Sequence, residues 1–128
     1  MEKLFEIDVT INGSQSVRGS TRDICMIFFS GEASGKYFSG KVIGTGTDTQ
    51  NIMGDGSVFL SARYMLEGTD IDGKSCRIFI ENNGSHEKGF LPKIVTDSKA
   101  LSVFEEMPLR AEITGTEKGV IVSVSACR

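Results

Sequence analysis

Five polar side chains carry the chemistry that this 128-residue chain suggests: Asp48 and Gln50 in GKVIGTGTDTQ (Gly40 to Gln50), Arg63 and Tyr64 in SARYML, and Asn82 in NNG. A carboxyl or a phenol can move a proton, a guanidinium can hold a carboxylate or polarise a carbonyl, and amides orient a small polar group. Arg63 stands mid-strand between Ser61 and Met65. If that face is interior, the guanidinium needs a counter-ion, and Asp48 is the candidate. The other reading places Val58, Leu60, Ala62, Tyr64 and Leu66 inside and leaves Arg63 in water. Period-two patterning distinguishes two faces without saying which is buried, so both readings stand.

The glycines of Gly40 to Gln50 invite comparison with a phosphate cradle. A dinucleotide fingerprint needs a third glycine where Thr49 stands, and a helix where NIMGDGS gives a turn. Taken as a strand, Gly40, Val42, Gly44, Gly46, Asp48 and Gln50 share one face. Glycine inside a strand marks a bend, a bulge or a close approach, so the stretch is either a barrel corner or a hollow beside Asp48 and Gln50. Asn82 shares a face with Cys76, Ile78 and Ile80, which places it over the interior unless NNG is simply a turn.

Other chemistries find little footing. Fourteen basic and seventeen acidic residues give a net charge of −3, which offers a polyanion no general attraction, so nucleic acid is not expected as a partner. MEKLFEIDVT alternates charged and apolar residues, unlike a signal peptide or membrane anchor, and a cytoplasmic protein is expected. Cys25, Cys76 and Cys127 are odd in number and lack a CxxC pairing, which suits free thiols. With one histidine, His86, and no cysteine near it in sequence, neither a metal nor a cofactor is expected. Cys76 with His86 as a nucleophile pair lacks any supporting spacing, and Glu105 and Glu106 fit a solvated face.

These residues must be positioned by strands. LFEIDVTI, VFLSARYML and GVIVSVSACR alternate with period two, and turn signals recur at Asn12, Ser30, Gly54, Asp72, Asn82 and Thr116. TDSKALSVFEEM breaks the rhythm and predicts a short helix over 97–106, with Asp97 as N-cap and Leu101, Phe104 and Met107 as a stripe that plugs one end of a sheet or barrel. GSHEKGFLPKI has no clear period and reads as an irregular rim loop. One all-β domain over residues 1–128 follows, and a closed antiparallel barrel of the calycin or lipocalin kind manages its edges better than a sandwich.

YFSGKVIGTGTDTQ, DGSVFLSARYML, DGKSCRIFIENNG and LPKIVTDSKALSVFEEMPLRAEI, in that order, resemble the bacterial domain-of-unknown-function family thirty-two thirty-seven, also known as uncharacterised protein family three-eleven. Ser61 stands where the resemblance leads one to expect Asp. The resemblance implies a calycin-like or allene-oxide-cyclase-like barrel and no particular activity. The expected function is binding of a small, partly apolar carboxylate or carbonyl compound by Asp48, Gln50, Arg63, Tyr64 and Asn82. The alternatives are an isomerase or cyclase that uses Asp48 or Tyr64 with Arg63, and an assembly role in which the Val58 to Leu66 face packs against a second subunit. A homodimer is expected.

Overall fold

A computed structural model describes residues 1–127. Eight strands follow one another: β1 (Glu2–Arg18), β2 (Arg22–Ser34), β3 (Phe38–Met53), β4 (Val58–Asp70), β5 (Ser75–Ser85), β6 (Gly89–Thr96), β7 (Leu109–Gly115) and β8 (Gly119–Ala126). Each pairs antiparallel with the next, and β1 pairs with β8 from Glu2↔Ala126 to Thr10↔Gly119, so the sheet closes into a barrel. Closure pairs every strand on both sides over at least part of its length, which limits the edge offered to another chain. The expected all-β barrel is therefore the observed one.

Alternation decides what lies inside, and bulges adjust it. Ile7 and Val9 of β1, Leu66 of β4, Ile78 and Ile80 of β5, and Val122 and Val124 of β8 are buried at period two. A register shift between Lys3 and Phe5 against β8 lets both Leu4 and Phe5 turn inward, although they are neighbours in the chain. In β3 the register advances four residues, Ile43 to Thr47, while β4 advances two, Met65 to Arg63. Because the insertion is even, Val42, Gly46, Asp48 and Gln50 keep a common face.

The three glycines of that face serve three purposes. Gly40 lies opposite Gly68, and a Cβ on Gly40 would come within 2.3 Å of the Glu67 carbonyl oxygen. Gly44 adopts φ 63 in the bulge, where a side chain is disfavoured. At Gly46 the space of the missing side chain is taken by the Phe29 ring, which a Cβ would meet at 2.4 Å.

The segment 97–106 contains a single 3-10 turn, Ser102–Glu105, rather than two α-helical turns. Asp97 does not cap it, since its Oδ1 accepts from the Arg77 backbone N–H at 2.8 Å. The plug itself forms as expected: Leu101 and Phe104 are buried, Met107 packs against the core, and Phe104 meets Tyr37 edge-on at 5.1 Å. Between β6 and β7 the ladder is thin, with Phe90↔Ala111 as the paired position, and Glu105 Oε2 accepts from the Thr96 backbone N–H at 3.0 Å beside this seam.

Several turn signals fall inside strands instead. Asn12 sits at a bulge in β1, Ser30 to Ser34 belong to β2, and Asn82 to Ser85 complete β5. The stretch expected as an irregular loop is the end of β5, a turn at 86–88 and β6. Its alternation is real, with Phe90, Pro92 and Ile94 inward, but the exposed Leu91 and Val95 disguise it.

Candidate functional site

Strand register builds the site from one transverse row. Asp48 of β3 pairs with Ala62 of β4, and Ala62 pairs with Asn82 of β5. All three face the interior, and two strand spacings separate the Cα atoms of Asp48 and Asn82 by roughly 10 Å. The methyl of Ala62 leaves space between them. Gln50 pairs with Leu60 one inward position nearer the mouth, and Tyr64 lies one inward position deeper on β4. Together these residues line a cavity of ≈ 150 Å³ whose other walls include Val9, Ile27, Phe29, Leu60 and Val122.

The polar groups are incompletely matched. Gln50 Nε2 donates to Asp48 Oδ2 at a long 3.4 Å, while Asp48 Oδ1 and Asn82 Oδ1 are shut from water and meet no donor among the described residues. Asn82 is only 5% exposed. An unmatched buried acceptor costs about 1–3 kcal/mol, so this pair is a concentrated local penalty. Burial raises the Asp48 pKa above the ordinary carboxylate value, against smaller lowering effects from the Gln50 hydrogen bond and the charge of His86. Burial also holds the Tyr64 phenol well above its ordinary pKa, so it is neutral near pH 7. Its ring stacks edge-on with Phe29 at 5.2 Å.

Four of the five expected residues, Asp48, Gln50, Tyr64 and Asn82, thus meet at one cavity. Arg63 does not. Its side chain is 65% exposed on the outer face, where Nε lies 3.2 Å from Glu81 Oε2. It is neither the partner of Asp48 nor a cavity group, because Leu60, Ala62 and Tyr64 occupy the inward parity of β4. The same parity removes the Val58 to Leu66 face as a subunit interface, since Leu60, Ala62, Tyr64 and Leu66 pack inward.

His86, weighed from the sequence only as a metal ligand or as the partner of Cys76, joins the cavity wall. It lies in the turn after β5, stacks edge-on with Phe90 at 5.1 Å, and lines both the inner cavity and an outer cleft shared with Met53, Phe59 and Lys88. Its pairing with Cys76 fails on distance: ten positions along one strand span roughly 30 Å. Burial, with Asp70 and Asp97 nearby, also pushes the Cys76 thiol up in pKa, away from a reactive thiolate.

A second phosphate-like pattern, GTDIDGKS at Gly68 to Ser75, fits P-loop spacing. The structure makes it the β4–β5 hairpin, with Gly73 at φ 76 and Asp70 Oδ1 accepting from the backbone N–H groups of Asp72 and Lys74. No helix follows the glycine, so no helix N-terminus is available to a phosphate. Among the described residues, no three His, Cys, Asp or Glu side chains converge as a metal site would require, and no helix is long and apolar enough to cross a membrane.

Comparison with known proteins agrees with the topology. The family described as protein of unknown function (DUF3237) matches residues 1–113. The chain belongs to that family. A UPF0311 protein of Clostridium acetobutylicum is 38% identical over 88 residues, covering 65% of this chain and 52% of that relative, so the match spans about half the relative's length. A crystal structure of a protein of unknown function from the same species superposes with a TM-score of 0.84 at 25% identity, covering 99% of this chain and 98% of that one. A crystal structure described as an enzyme from Penicillium herquei superposes with a TM-score of 0.78 at 18% identity, covering 98% and 92% of the two chains, which shows a common fold alone.

Proposed function

We propose that this family member binds one small, partly apolar, uncharged molecule at the open end of its barrel. The supporting observation is the division of the cavity wall: aliphatic and aromatic side chains surround most of it, while Asp48 and Gln50 on β3 and Asn82 on β5 face it from either side of β4. Such a pattern of apolar enclosure with a few placed polar groups is that of a ligand site. A carboxylate ligand loses its rationale once Arg63 is outside, because Asp48 would then repel it. Thermal-shift titration with millimolar benzene, phenol and benzaldehyde tests this reading, since a ligand at one hundred times its Kd stabilises the fold by about 2.7 kcal/mol. The absence of any Tm shift with all three, as for a cavity-filled Ala62→Leu variant, would refute it.

Asp48 favours a second reading, proton transfer in an isomerase or cyclase. Its proton affinity, raised by burial in an apolar cavity, is shifted in the direction a general base needs, with Gln50 as neighbour and no part for Arg63. Exchange of the α-protons of cyclohexanone in D2O, faster than in buffer and lost in Asp48→Asn, is the expected signature. Exchange at the buffer rate excludes it for that ketone class.

A further inference from the structure

The cavity's size and its unmatched acceptors together define a ligand class more narrowly than small and uncharged. A cavity of ≈ 150 Å³ has the volume at which an apolar pocket in another protein is known to admit a single benzene ring. The walls here suit a ring, because Phe29 and Tyr64 already present aromatic surface beside Leu60 and Val122. The polar side is not neutral in its demands. The two buried side-chain oxygens without partners, Asp48 Oδ1 and Asn82 Oδ1, are both acceptors, and they belong to residues at the two ends of the Asp48–Ala62–Asn82 row.

An acceptor without a donor is relieved only by a donor. An ether or aldehyde placed over Ala62 brings oxygen to oxygen and leaves the penalty intact, and a carboxylate adds a second negative charge beside Asp48. A hydroxyl brings a hydrogen. The torsions that end in a carboxylate or carboxamide are broad, so modest rotation about Cβ–Cγ turns either oxygen toward the cavity without leaving a rotamer well. A hydrogen bond to an ionised acceptor is also stronger than one between neutral groups.

We infer that the preferred occupant is a monocyclic alcohol or phenol, its ring enclosed by the apolar wall and its one hydroxyl hydrogen donated to Asp48. This inference rests on the proposal that the cavity binds ligands at all, and the test separates the two. Phenol, anisole, benzene and benzoate are titrated into the full-length protein, with amide NMR shifts of Asp48, Ala62 and Asn82 locating each ligand. The expected result is that phenol binds at least about tenfold more tightly than anisole, in line with one hydrogen bond to a charged group. Benzene should bind as anisole does, and benzoate more weakly than phenol. Asp48→Leu should reduce the ratio of phenol affinity to benzene affinity at least about threefold. Equal affinity for phenol, anisole and benzene overturns the hydroxyl preference but keeps the cavity as a binding site. Tighter benzoate overturns it in favour of an anion site. No shifts with any of the four overturns the binding proposal and this inference with it. Because the ligand series is read on the unmodified protein, a variant that fails to fold does not blunt the test.

Discussion

The two ends of the barrel are built from the same strands yet solve opposite problems. At the end carrying the 3-10 turn, Phe5, Phe38, Leu101 and Phe104 are buried, with Phe5 against Phe38 at 5.8 Å and Tyr37 against Phe104. Large rings leave no room there. At the other end Val9, Leu60, Ala62 and Val122 stand where rings would have filled the space, and Asp48, Gln50 and Asn82 face the resulting cavity. Closing a sheet of about eight strands leaves an interior just wide enough for side chains or for one small ligand, and this molecule uses each option once. Side-chain size, more than strand geometry, separates scaffold from site.

Four substitutions test that division. Phe104→Ala removes the plug and should cost about 3–5 kcal/mol in denaturant unfolding, the range for a fully buried ring. A loss below about 1 kcal/mol would mean the closed end does not carry the packing assigned to it. Gly46→Ala places a methyl on the Phe29 ring, and since that ring must shift toward the cavity, a loss of about 1–3 kcal/mol is expected along with a smaller void. A crystal structure of the variant with Phe29 unmoved would contradict the account of Gly46.

Asp48→Asn should act in the other direction. Because the folded-state pKa of Asp48 is raised, its contribution to stability is fully present below the ordinary carboxylate value and is lost as pH rises through the folded value. The wild-type protein therefore carries an ionic penalty at pH 7 that the amide avoids. The variant should be about 1 kcal/mol more stable at pH 7, with the gain vanishing toward pH 3. A gain independent of pH would detach it from the titration of Asp48. Arg63→Gln is the smallest change: it breaks an exposed pair with Glu81, and a loss under about 0.5 kcal/mol is expected from thermal unfolding. A loss of several kcal/mol would return Arg63 to the interior.

How much of this was readable from residues alone depends on parity. The barrel and the shared face of Asp48 and Gln50 follow from alternation, the plug follows from the three-residue spacing of Leu101, Phe104 and Met107 where alternation stops, and the β3 bulge spares the shared face because its insertion is even. Arg63 was misleading because β4 is apolar on both faces, with Phe59 and Met65 outside and Leu60, Tyr64 and Leu66 inside, so alternation carried no sign. Register supplies the missing sign: Arg63 pairs with Thr47 and Glu81, and Glu81 pairs with Lys93, an outer polar row that becomes visible only when strands are aligned. His86 was hidden for a different reason. It joins the site through a turn that carries it over the mouth, a placement that has no periodic signature.

The thin seam between β6 and β7 has its own consequence. Seven junctions around the circumference are laced by runs of paired residues, and this one is fastened at Phe90↔Ala111, with the chain from Asp97 to Pro108 passing beside it. A hoop yields first at its weakest stave. Hydrogen exchange should therefore be quickest among the amides that border this gap, and breathing of the wall, should it admit a guest sideways, would begin there rather than at the hairpins.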